Sequence, residues 1–114
     1  MTEKNVLELC RTAAGPGPGG NKQALAAAPE GALVHLTGLI TESQPKRDGR
    51  RLLLSDPSGT ITIRVPRDAR VRDDQNPYFP TIHSLTLGRA MAMLGRKERD
   101  HVVAAGVHLL SDTA

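Results

Sequence analysis

Aromatic residues are almost missing from this chain: its 114 residues include no Trp, one Tyr and one Phe. A core must therefore be built from Leu, Val, Ile, Ala and Met, and a hydrophobic fraction of 39% is enough for one. Cysteine is nearly missing too. The single Cys10 excludes an internal disulfide and points to a reducing compartment, and it reads as a small apolar core residue because no His lies near it in sequence. No apolar run approaches the ~18 residues of a membrane span, and the N-terminus lacks a signal-peptide pattern. A soluble, intracellular protein with no membrane contact is expected. Repeats and low-complexity tracts are absent, and the length corresponds to one small domain.

Groups that carry chemistry are equally sparse. His35, His83, His101 and His108 are scattered and have no companion cysteines, so no metal site is expected. Asp56 and Asp68 form no acid–base pair, and neither Ser55 nor Ser58 has the surroundings of a nucleophile. Residues 13–20, AAGPGPGG, are glycine-rich, but no strand precedes them and no Gly-Lys-Ser/Thr follows, which argues against a phosphate loop. The expectation is a protein that is not an enzyme and uses no cofactor.

What is present is basic charge, unevenly placed. The net charge is +3; residues 1–43 carry three basic and four acidic side chains, residues 44–114 twelve and eight. This mildly favours an anionic partner for the later, strand-rich part, while a solvated surface explains the charge alone equally well.

The clearest structural signal runs from Arg51 to Val65, RLLLSDPSGTITIRV. An apolar run, Leu52 to Leu54, meets the alternating run Thr60 to Val65 across Ser55-Asp56-Pro57-Ser58-Gly59. Pro57 pre-sets a turn φ, Gly59 tolerates positive φ, and Asp56 can accept from nearby backbone N–H groups. The pattern predicts a β-hairpin with Ile61, Ile63 and Val65 on one face and Thr60, Thr62 and Arg64 on the other. Upstream, Glu3 to Thr12 reads as a short helix with Thr2 as N-cap, Val6, Leu9 and Cys10 sharing a face, and Leu7 beside them. Asn21 to Ala28 reads as a second short helical turn, ended by Pro29-Glu30-Gly31. Ala32 to Thr41 is a strand whose Gly38 predicts a bulge or sharp coil. Glu42 to Arg50 reads as a polar loop closed by Asp48-Gly49. Pro66 to Ser84 is irregular and holds both aromatics, Tyr78 and Phe79. Leu85 to Leu94 and His101 to Leu110 are the fourth and fifth strands, separated by the charged loop Gly95 to Asp100.

Five strands, a glycine-kinked first strand and a long third connection predict an all-β, five-stranded OB-fold barrel with a short N-terminal helical extension. Residues 1–30 form the helix and Gly/Pro-rich linker, and residues 31–114 form the barrel. An SH3-like barrel suits the strand lengths less well. Ligands of such barrels lie across strands two and three, between the loops joining strands one to two and four to five. Those loops are the basic ones here: Lys46, Arg47, Arg50 and Arg51 in the first, and Arg96, Lys97 and Arg99 in the second, with Arg64, and also Arg89, as candidates to lie between them. They are the candidate track for single-stranded DNA or RNA. The near absence of aromatics argues the other way, because strands two and three offer no stacking platform.

Several segments, taken in order, resemble the RecQ-mediated genome instability protein 2 family. They are Val6-Leu7 in a short helix, the Gly/Pro-rich stretch, Val34-His35-Leu36-Thr37-Gly38, Ser55-Asp56-Pro57-Ser58-Gly59, Leu87-Gly88, Met91-Ala92-Met93-Leu94-Gly95 and Leu110-Ser111-Asp112. The likeness covers about Val6 to Asp112, and the chain is also similar to the smallest subunits of replication protein A and of the telomeric Ctc-Stn-Ten complex. The resemblance implies a nuclear, non-catalytic subunit of a DNA repair and genome-stability complex. Its barrel would pair with a larger OB-fold protein that works with a type IA topoisomerase and a RecQ helicase on recombination intermediates. Val6, Leu9, Val103 and Val107 are the candidate partner-binding residues, and each is also a candidate core residue.

Overall fold

The structure, a computed structural model, describes residues 19–76, 78 and 80–110. The helix expected from Glu3 to Thr12, with Val6, Leu9 and Cys10, lies outside the described residues, as do Phe79 and the tail from Ser111.

The central hairpin forms as its pattern requires. Strand β2 (Gly49–Asp56) and β3 (Gly59–Pro66) pair antiparallel around Pro57-Ser58. Cross-strand pairs Leu52–Ile63 and Leu54–Ile61 face inward and are buried. Pairs Arg51–Arg64, Leu53–Thr62 and Ser55–Thr60 share the other face. Asp56 Oδ1 accepts from Ser58 N at 2.9 Å, which tightens the turn.

Strand β1 (Leu33–Lys46) runs well past Thr41, so most of the expected polar loop is strand and only Arg47-Asp48 turns the chain into β2. A register shift between Ile40 and Glu42 resets the alternation there: Leu36 and Ile40 point inward before it, and Ser43, opposite buried Leu52, points inward after it. Polar residues occupy both faces beyond this bulge, which hides the strand from a periodicity argument. The bulge expected at Gly38 is therefore found three residues later. Gly38 instead permits a close approach, since a Cβ there would lie 2.5 Å from Ser55 O.

Strand β4 (Arg70–Asp73) is a short addition within the long connection, followed by a 3-10 turn at Ile82–Ser84. Strands β5 (Ala90–Lys97) and β6 (Val102–Leu109) pair with each other, and β5 pairs with β1. The fourth strand thus starts later than expected and extends to Lys97. Leu85 is buried in the core ahead of it, and Gly88 takes φ 87° in the turn that leads into it. Parallel pairing of Ile63 with Val102 and Arg64 with Val103 joins β3 to β6 and closes the circuit β1-β2-β3-β6-β5. The architecture is a closed five-stranded OB-fold barrel, with β4 added in parallel on the β6 segment Gly106–Leu109.

Leu36, Ile40, Leu52, Leu54, Ile63, Val65, Met91, Met93, Val102 and Leu109 fill the barrel, and Ile82 and Leu85 plug it from the connection. Each fully buried aliphatic side chain stabilises by roughly 1.5–3 kcal/mol, so the core needs no aromatic ring. Helix α1 (Gly20–Ala27) packs Ala24 and Leu25 against this core. At 8 residues it is too short to persist alone, and its caps come from the barrel. Asp56 Oδ2 accepts from Asn21 N at 2.9 Å and Ser58 Oγ from Lys22 N at 3.0 Å. At the other end Lys97 Nζ donates to Leu25 O (2.5 Å) and Ala28 O (2.6 Å).

Candidate nucleic-acid interface

The register of the closed barrel aligns outward side chains from different strands into one transverse row. Gln44 pairs with Arg51, Arg51 with Arg64, Arg64 with Val103, Val103 with Arg96, and Arg96 with Leu33. Neighbouring strands lie about 4.8 Å apart, so three arginines are spread across four adjacent strands with Val103 between two of them. Placing Arg51 directly opposite Arg64 is unfavourable in itself, because like charges on a cross-strand pair repel.

The β1–β2 turn overhangs one end of this row. It is held down by Arg67, whose backbone N donates to Asp48 O (3.1 Å) and whose Nη2 donates to Arg47 O (2.7 Å). The exposed side chains of Lys46 and Arg47 project from that turn. Arg99 lies in the β5–β6 connection at the other end. A groove of about 560 Å³ runs between Lys46, Arg47, Arg50, Arg51, Thr62 and Arg64. It continues into a second, of about 480 Å³, beside Arg64, Arg96, Arg99 and Val103, and Asp48, Asp100 and His101 line both.

Carboxylates are interleaved with the cations. Glu42 lies 3.6 Å from Arg51, Glu98 lies 3.0 Å from Arg96, and Asp48 pairs with Arg64. Asp100 Oδ1 meets His101 Nδ1 at 2.7 Å. The hydrogen bond from Arg64 holds the Asp48 carboxyl below its usual range, and the bond with His101 does the same for Asp100. These pairs offset the repulsion within the row. They are exposed or half-exposed, so solvent screening leaves each of them weak, and a phosphate can exchange for the carboxylate at small cost. With Lys46, Arg47 and Arg99 added, positive charge remains in surplus.

One of the expected track residues is used elsewhere: Lys97 caps α1. Arg50 also lines the first groove, although it alternates in β2 with Arg51 and its Nε donates to Ser43 Oγ (3.0 Å), which donates to Leu85 O (2.6 Å). Arg89, also considered for the groove, is bound to buried Asp73 at 2.7 and 3.2 Å. Among the candidate partner residues, Val103 is half-buried within the arginine row and Val107 is fully buried in the core. A register shift between Leu94 and Gly95 leaves Ala105 unpaired, so Val103 and Val107 fall on opposite faces despite their even spacing. Val107 is therefore not available to a partner.

Sequence reasoning missed Asp48, Asp100 and His101 as groove residues, and a hydroxyl ladder farther along the same face of the hairpin. Thr41 Oγ1, Ser55 Oγ and Thr60 Oγ1 are linked at 3.0 and 2.9 Å across β1, β2 and β3. Pairing Ser55 with Thr60 across the hairpin was the available signal. Among the described residues no cluster of His, Cys, Asp and Glu is arranged to hold a metal ion.

No protein-family model and no curated protein matches this chain. Solved structures do. Asparaginyl-tRNA synthetase from Pyrococcus horikoshii is similar with a TM-score of 0.59 and 15% identity over 72% of this chain, which spans only 20% of the synthetase. The OBody AM1L10 bound to hen egg-white lysozyme has a TM-score of 0.58 and 12% identity, covering 77% of this chain and 91% of the OBody. A replication protein A heterotrimer bound to ssDNA gives 0.54 and 15%, covering 75% and 62%. Likeness at these identities establishes the class: a small OB-fold domain.

Proposed function

We propose that this domain is a non-catalytic nucleic-acid-binding protein that holds a phosphate backbone along the row Arg51, Arg64 and Arg96. The observation that carries this reading is the strand register, which sets those arginines side by side on the groove face rather than scattering them over the surface. Lys46 and Arg47 at one end and Arg99 at the other extend the positive track. The likeness to a replication protein A heterotrimer bound to ssDNA supports a single-stranded ligand. NMR titration with a short oligodeoxynucleotide tests it. Amide shifts concentrated at Arg51, Thr62, Arg64, Arg96 and Val103 are expected; shifts elsewhere, or none at low salt, would refute it.

A second reading is assembly. In it, the domain is a subunit of a nuclear DNA repair complex, pairing with a larger OB-fold protein that works with a type IA topoisomerase and a RecQ helicase. It is favoured by large apolar side chains left outward: Leu33 and Leu39 on β1 and Leu87 in the turn before β5 are 54%, 51% and 68% exposed. Co-expression with the larger subunit should yield a stable complex that Leu39→Glu with Leu87→Glu disrupts. Separate elution of the two proteins would refute this reading.

A further inference from the structure

Among the described residues the groove face has cations and hydroxyls but no aromatic platform for bases. The outward residues of β2 and β3 are Arg51, Leu53, Ser55, Thr60, Thr62 and Arg64. Tyr78, in the long connection, lines neither groove, and Phe79 lies outside the described residues. The one imidazole in the groove, His101, is half-buried, with its Nδ1 bonded to Asp100. Base edges also find few partners, because Thr41, Ser55 and Thr60, on the same face, hydrogen-bond to one another and Thr62 is the one hydroxyl residue lining the first groove. Donors for a ligand there are therefore mostly guanidinium and ammonium groups, whose natural acceptors are phosphate oxygens.

From this we infer that the ligand is recognised as a sugar–phosphate backbone alone, with its bases turned away from the barrel and unread. The inference rests on the nucleic-acid reading proposed above and narrows it to a base-independent ligand class. Single-strand binders that stack bases gain at least about fivefold in affinity per stacked base. A backbone track gains nothing from the bases.

The test is anisotropy at low salt with two labelled 12-nucleotide strands, one of mixed sequence and one with every base removed. Dissociation constants within about threefold of each other are expected, and Tyr78→Ala should leave both unchanged. An abasic strand weaker by more than threefold, or a Tyr78→Ala loss of that size, would overturn the inference while leaving nucleic-acid binding intact. Failure of both strands to bind would instead overturn the underlying reading, and the inference with it.

Discussion

Replacing Asn21 by Ala removes a side chain that substitutes for a missing strand residue. Pairing of β1 with β2 ends at Leu39–Ser55, because β2 stops at Asp56 and Pro57 has no N–H to give. The next polar edge of β1, at Thr37, would be unsatisfied. Asn21 fills it with its side-chain amide: Nδ2 donates to Thr37 O at 2.8 Å, and Oδ1 accepts from Thr37 N at 3.3 Å. Asn21 is 0% exposed, so water does not share the task. Leaving a buried donor and a buried acceptor without partners costs about 1–3 kcal/mol each, and partial hydration of half-buried Thr37 in the variant puts the total near 2–4 kcal/mol. Urea unfolding followed by circular dichroism measures this. With a slope of roughly 1–3 kcal/mol/M, the midpoint should fall by about 1–2 M at unchanged slope. Asn21→Asp keeps the acceptor but sets a carboxylate against Thr37 O, and should be no better than Ala. A midpoint shift below about 0.3 M for Asn21→Ala would refute the bridging role.

Other consequences follow from the same contacts. Lys97→Met removes the C-terminal cap of α1 and should cost about 1–2 kcal/mol in urea unfolding, while oligonucleotide affinity stays within twofold; a large loss of affinity instead would return Lys97 to the binding track. Asp48→Asn releases Arg64 from its competing carboxylate and should tighten oligonucleotide binding about two- to fivefold, the range of an exposed ion pair, whereas weaker binding would show Asp48 to be part of the ligand site. The Asp73 carboxyl is held below its usual range by the hydrogen bonds from Arg89, and Asp56 by bonds from Ser58 and Asn21 that outweigh its partial burial. Such carboxylates contribute stability that is present above their unfolded pKa of about 3.9 and lost as pH falls through the lower folded value. The thermal midpoint should accordingly drop below about pH 4, and Asp73→Asn should flatten that acid limb.

The hairpin was legible because its information is local: period-2 alternation and a Pro-Ser-Gly turn specify both strands and the face of Thr60, Thr62 and Arg64. The five barrel strands and the OB-fold class were legible for the same reason, whereas the short β4, within a segment read as irregular, was not. The far half of β1 was not, since residues 42–46 are polar on both faces and their strand state comes from pairing with β2. A further misreading concerns parity: the unpaired Ala105 puts Val103 and Val107 on opposite faces. Lys97 shows a different limit: its role as a helix cap depends on carbonyl groups about 70 positions away, which no local pattern reveals. The arginine row itself arises from closure, because only the β3–β6 pairing brings Arg64 and Arg96 to either side of Val103.

The most direct test of the account is the salt dependence of single-strand binding, comparing the wild-type protein with an Arg51→Ala, Arg64→Ala, Arg96→Ala variant. If the row and its flanking cations neutralise about three to five phosphates, log affinity against log salt should have a slope of about −2 to −4 for the wild type. The variant should lose about 2 from that slope. No binding at low salt, or a slope that the three substitutions leave unchanged, would contradict the assignment of this face.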